Sequence, residues 1–381
     1  MSAENAVMSP NPCRVVGADG ARRDGALLAT PPRRHSGLFG WFAALVVALE
    51  LAPATGLAQP PAEPPARLSD TGLFAPDSHS IAPGLLAFSP QYPLWSDGAV
   101  KRRWLAVPPG SVIDAAAPDA WVFPVGTRLW KEFAQGGRPV ETRFIERLAD
   151  GAWRYATYIW QADGLDATLA PAAGASLSVA AAPAGRYAVP SRDDCRACHE
   201  AGPTPVLGFS ALQLSPERDA QAPHAESPAA DVIDLQGLLT RGLLRNLPQA
   251  LIDRPPRIEA RSPTERAALG YLHGNCGHCH NATGPLALLE LSLTQGTGSA
   301  ADTEHSLRTT VGRSSDARLK NLDTRIVPGD AARSLLLLRM RSRNPVLQMP
   351  PLGTARTDTQ ANALIERWIV HELPHLQEQK P

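Results

Sequence analysis

The chain has 381 residues, 44% of them apolar, enough to bury two or three cores, and its 37 basic and 37 acidic side chains cancel. A neutral chain of this kind gives no reason to expect a nucleic-acid partner. Of its five cysteines only Cys13 lies outside two short motifs further along.

The amino terminus reads as a leader. Residues 1–30 are polar, Gly/Ala/Arg-rich and aperiodic, which suits an over-extended start better than a domain. Arg33 and Arg34 then precede an apolar run from Leu38 to Leu51, and Gly56-Leu57-Ala58 supplies small residues where a signal peptidase reads. The run is too short, and too soon followed by prolines, to span a bilayer well. Residues 1–58 are therefore expected to be a secretory signal, and the mature chain is expected in the periplasm, close to neutral and without a membrane span. Residues 59–73, with Pro60, Pro61, Pro64 and Pro65, read as an extended linker.

Residues 74–189 read as a β-rich domain. Arg102–Val107, Trp121–Phe123, Thr127–Phe133, Val140–Leu148 and Trp153–Trp160 are aromatic and β-branched runs, and Ala149-Asp150-Gly151 is the turn joining the last two. Six of the eight tryptophans fall here, which points to the core of a small β-sandwich, with a sugar-binding platform as the rival. Lys101-Arg102-Arg103 reads as a solvated strand end, or as a contact for an acidic partner or a haem propionate.

Residues 190–255 and 256–381 read as mainly helical segments, each built around a CxxCH. In Cys195-Arg-Ala-Cys198-His199 and Cys276-Gly-His-Cys279-His280 the two thiols can add across haem vinyl groups, and the adjacent histidine can ligate the iron. A four-cysteine zinc site is the main rival. Its pairs usually lie roughly 15–20 residues apart, much closer than Cys198 and Cys276, and it has no use for a histidine after each pair. A thioredoxin-like pair would want a βαβ context, which neither flank offers.

Ser191 and Asp194 form a capping box for a short helix carrying the first motif. A second helix is expected over Asp231–Asn246, ended by Pro248. Ser262-Pro263-Thr264-Glu265 launches the helix that runs into Cys276. Ala361, Leu364, Ile365, Trp368 and Ile369 mark one apolar face of a carboxy-terminal helix. Two helices bracketing a CxxCH and a distal Met349-Pro350-Pro351-Leu352-Gly353 resemble the class I cytochrome c fold over roughly Pro256–Leu373, with Met349 as sixth ligand. Met340 ends a helix begun near Asp330, and core packing is its default. The first motif has no such partner. His224, His79, His273 and Met340 are candidates, and His278 sits inside the second CxxCH, unable to reach across the same iron.

Taken together, Leu94-Trp-Ser-Asp-Gly-Ala99, Phe123-Pro-Val-Gly-Thr127, Glu141-Thr-Arg143, Pro190-Ser-Arg-Asp-Asp-Cys195, Tyr271-Leu-His-Gly-Asn-Cys276, Val327-Pro-Gly-Asp330 and Met349-Pro-Pro-Leu-Gly353 resemble a family of secreted bacterial dihaem c-type cytochromes with a β-rich amino-terminal part. The resemblance spans about Tyr92–Ile369. It implies an α+β protein, two covalent haem c groups at Cys195/Cys198 and Cys276/Cys279, proximal ligands His199 and His280, and Met349 in the distal motif. Some relatives lie beside or are fused to quinoprotein dehydrogenases, which implies a redox partner of that kind. Trp95 and Pro351 depart from the Phe and Glu often found there, and neither bears on iron chemistry.

Three functions follow as expectations. The first is a periplasmic carrier passing single electrons between a dehydrogenase and a terminal acceptor. The second is a peroxidase-like enzyme with an open first haem and an acid/base group such as His224 or Glu200. The third is a haem protein whose β region binds sugar or a partner.

Overall fold

The computed structural model describes residues 63–375, apart from 77, 227–230, 298 and 320–321. The expected leader lies outside the described residues. Among those described, no helix is long and apolar enough to cross a membrane.

The fold is α+β, built on one large sheet. Packed chain begins before the expected Phe74: Leu68 and Leu73 are fully buried, and Ser69–Thr71 forms a 3₁₀ turn between them. The strands are β1 (Leu86–Phe88), β2 (Val100–Ala106), β3 (Ile113–Asp114), β4 (Arg128–Gln135), β5 (Arg138–Arg147), β6 (Trp153–Trp160), β7 (Ala167–Leu169), β8 (Ala175–Ser178) and β9 (Arg186–Val189). β10 (Val232–Ile233) pairs parallel to β1, and the seven-stranded order is β10-β1-β2-β4-β5-β6-β7. The β5–β6 hairpin turns at Ala149-Asp150-Gly151 as its sequence requires, with Gly151 at φ 85°.

Strand alternation gives the sheet two different faces. Trp104, Trp130, Phe144, Ala156 and Tyr158 point one way, onto Leu68 and Leu73. Leu105, Leu129, Ile145 and Tyr155 point the other way, onto Phe209, Leu235 and Leu238. In place of the expected sandwich, the large sheet is covered by loops and short helical segments rather than by a second sheet. Trp121–Phe123 is not a strand; Val122 makes only an isolated bridge to Asp114.

The helices are α1 (Arg192–His199), α2 (Leu235–Thr240), α3 (Gln249–Asp253), α4 (Pro263–Asn275), α5 (Ala300–Thr310), α6 (Leu335–Arg341) and α7 (Thr359–Arg367), the last continued by a π-turn over Trp368–Glu372. The helix expected over Asp231–Asn246 is broken into β10, α2 and β11 (Leu244–Arg245), because Asp234 caps α2 at Gly237 and Gly242 turns at φ 65°. α4 and α7 pack together as expected: Ala267, Ala268 and Leu272 meet Leu364, Ile365 and Trp368, with Leu337 and Met340 of α6 in the same cluster. Trp368 Nε1 donates to Glu265 Oε2 at 3.3 Å, tying the start of α4 to the carboxy-terminal helix.

Candidate functional site

Ser191 builds the first motif as its sequence predicts. Its hydroxyl accepts from Asp194 N at 3.0 Å, and Asp194 reciprocates on the Ser191 N–H at 2.9 Å, so Cys195, Cys198 and His199 ride on one short helix. His199 Nδ1 lies 2.6 Å from the Pro205 carbonyl, which can only accept. That contact places the proton on Nδ1 and leaves the Nε2 lone pair free for a metal. Burial, with help from Lys131 and Arg143, lowers the imidazole to about 4 despite this bond, so it is neutral at pH 7.

In the second motif Cys276 caps α4 and His280 closes the following turn, its N–H bonded to Cys276 O at 2.9 Å. His280 is 9% exposed and its Nδ1 is buried without a partner. Burial, then His278, holds it too at about 4. Met349 and Cys276 line one cavity, with Trp95, Tyr271, Met340 and Arg343. A wider groove of about 620 Å³ runs along Asn281, Ala282 and Leu288–Ser292, where Leu288 is 94% exposed. In donor chemistry these residues suit haem: two neutral imidazoles each following a thiol pair, a thioether lining the same small cavity as one thiol, and bare apolar side chains beside the motif.

The fold also brings the two motifs into contact. The thiols of Cys198 and Cys279 and a ring nitrogen of His278 lie within 4.8 Å of one another. The Cys198–Cys279 hydrogen bond pushes Cys198 up to about 12 and lowers Cys279. Asn281 sets this approach. Its amide donates to Ala201 O at 3.0 Å and to Gly277 O at 3.1 Å, and its carbonyl accepts from Gly284 N at 2.7 Å. Gly284 is required, since a Cβ there would meet Ala201 O at 2.3 Å.

The remaining candidates fall elsewhere. His224 is not beside the first motif: its Nε2 donates to Asp358 at 2.8 Å and its ring stacks on Trp95 at 4.6 Å, next to the cavity of Cys276 and Met349. His273 is occupied, Nδ1 accepting from Gln295 N at 3.1 Å. Met340 shares the second motif's cavity, and His79 is exposed. Around His199 stand instead Tyr155, its ring 5.5 Å away, and the strand cations Lys131 and Arg143. Asn281 and Gly284 carried no signal in the sequence beyond following a CxxCH.

No family of known proteins, no curated protein and no solved structure matches the chain.

Proposed function

We propose that the protein is a dihaem c-type cytochrome of the periplasm, a single-electron carrier between a dehydrogenase, such as a quinoprotein, and a terminal acceptor. The contact between Cys198 and Cys279 carries this reading: two attachment motifs far apart in sequence sit side by side, which is the arrangement needed for electrons to cross from one group to the other. Haem bound here supplies a one-electron iron couple. Cys195, Cys198, Cys276 and Cys279 would anchor the two groups, His199 and His280 present neutral nitrogens, and Met349 offers a thioether at the cavity that Cys276 also lines. His199 is oriented by the Pro205 carbonyl.

The test is a haem stain on a denaturing gel with optical and EPR spectra, on protein made with haem-maturation machinery. Two covalent haems, both low-spin, support the carrier; one high-spin centre that reacts with peroxide moves the reading to the enzyme. Cys195→Ala with Cys198→Ala is expected to leave one covalent haem, and two would remove the first motif from the site. A second reading is favoured by one observation: Cys198, His278 and Cys279 alone could hold a metal such as zinc. Absence of covalent haem together with one equivalent of zinc would establish it.

A further inference from the structure

Strand register sets Arg103 opposite Lys131, and Lys131 opposite Arg143. Three cations therefore stand in one rung across β2, β4 and β5, where like charges directly opposite destabilise a sheet. Lys101, two residues along β2 on the same face, adds a fourth. These are not solvated strand ends: Lys101 is 9% and Arg103 5% exposed.

Two carboxylates answer them. Glu226 binds Arg103 at 2.9 Å, and Glu141 accepts from Arg143 Nε at 2.7 Å. Arg218, near Glu226, spends its own donors on the Ser89 and Gln213 carbonyls. What remains is unbalanced. Lys101 donates to the Leu94 carbonyl at 2.8 Å, Lys131 Nζ lies over the Phe133 ring at 5.0 Å, and Arg103 Nη2 is buried with no acceptor. Burial and the neighbouring cations lower Lys101 to about 8 and Lys131 well below its ordinary value. Basic groups held this way are costly to keep charged without a counter-ion, and an anion received on this face would relieve that cost.

Its position says which anion. The charged rung shares its face with Tyr155, whose ring lies against His199, and with the cluster on which Cys195 packs. Arg143 acts electrostatically on both Cys195 and His199, and Lys131 on His199. Among the described residues, the four basic side chains here face Glu226 and Glu141 alone at bonding distance, and the propionates of a haem would supply carboxylates that keep the two lysines protonated. We infer that the Arg103–Lys131–Arg143 rung, with Lys101, is the propionate-binding wall of the haem anchored at Cys195 and Cys198. This rests on the dihaem reading. The sheet is then half of the first haem pocket, and its function is to set that haem's orientation and potential.

Carboxylates of haem and a diffusible oxyanion share the same chemistry, and the test separates them. In the haem-loaded chain, Lys131→Met should keep two covalent haems by mass, while one of two midpoint potentials falls, because a carboxylate left without its cation favours ferric iron. Lys131→Arg should restore it. Arg102→Met, whose side chain lies on the opposite face with Glu132, should move neither potential. If Lys131→Met fails to accumulate, Lys101→Met is read in the same way. Unmoved midpoints with both haems retained would overturn the inference. So would a saturable response of the unsubstituted protein's spectrum or potential to inorganic phosphate or nitrite, which would make the site one for a diffusible anion. An unsubstituted chain without covalent haem would overturn both this inference and the reading beneath it, and so is distinguishable from the first outcome.

Discussion

Gly274→Ala tests how the β region is joined to the second motif. Gly270 and Gly274 lie one turn apart on α4, so both present the same helix face. The segment Tyr92–Trp95 rests on that face. A Cβ on Gly274 would sit 2.4 Å from the Tyr92 carbonyl oxygen, and one on Gly270 2.0 Å from Tyr92 Cε1. Tyr92 cannot withdraw freely: its N–H donates to Gln213 at 3.0 Å and its hydroxyl to Asp219 at 3.1 Å. Asn275 locks the same segment, accepting from Trp95 N at 2.7 Å and donating to Pro93 O at 3.3 Å. Two effects compete. Replacing glycine by alanine inside a helix stabilises by about 1 kcal/mol. Forcing a methyl into filled space costs about 1–3 kcal/mol, and each Asn275 bond lost costs about 1 kcal/mol more. The obstacle at Gly274 is backbone, so the second effect wins, for a net loss of about 2 kcal/mol. Urea unfolding should show the loss, whereas Gly202→Ala, with nothing within 4 Å of its Cβ, should be near neutral. Trp95 lines the cavity of Cys276 and Met349, so the optical spectrum of the second haem should shift as well. A Gly274→Ala chain as stable as the unsubstituted one would refute the close docking of this segment on α4.

Met349→Ala should turn the second haem toward high spin and lower its potential, and an unchanged spectrum and potential would remove Met349 as a ligand. Glu226 gives a pH dependence. Burial pushes its carboxyl up, but Arg103 and the Ser89 hydroxyl outweigh burial and leave it below the ordinary value. A depressed folded value means stability that is present above the unfolded value of about 4.3 and lost as pH falls through the folded one. Acid should therefore weaken the Ser89–Glu226–Arg103 link, and Glu226→Gln should flatten that part of the stability-against-pH curve. An unchanged slope between pH 5 and 3 would count against it.

Local signals were legible in the sequence, and partners distant in sequence were not. The capping box at Ser191, the hairpin at Asp150-Gly151 and the apolar face of α7 each depend on residues within one or two turns, and each appears where its residues say; at Ser262 only the N-cap half of the expected box forms, because Glu265 turns to Arg261 and Trp368 instead. Val232–Ile233 read as helix because their partner, Ala87–Phe88, lies far back in the chain; only a sheet edge already in place makes them a strand. Lys101 and Arg103 read as a solvated end for the same reason, since their cover includes Glu226, which the sequence does not place near β2. His224 read as a candidate ligand or acid/base group for the first motif because Asp358, which both caps α7 and binds it, belongs to the last helix. The partnership of Cys198 with Cys279 depends on Asn281 and Gly284 fitting against Ala201, a match of shapes with no spacing rule behind it.

The same residues weigh the proposed haem reading against zinc on chemical grounds. A structural zinc site gathers four ligands around one ion at about 2.0–2.3 Å. Here, among the described residues, only Cys198, Cys279 and His278 converge. Cys195 packs on the sheet cluster and Cys276 on the helical one, where burial alone pushes its thiol up to about 12. A zinc ion on the three converging groups would leave Cys195, Cys276, His199 and His280 without a role, and would leave the Pro205 contact on His199 and the excess charge of the Arg103–Lys131–Arg143 rung unexplained. The two haems proposed above would use all four thiols and both histidines, and the propionates of one would give the sheet's buried basic groups a counter-charge. The motifs, the helices that carry them and the charged rung are then parts of one device, and the contact between Cys198 and Cys279 is where its two halves meet.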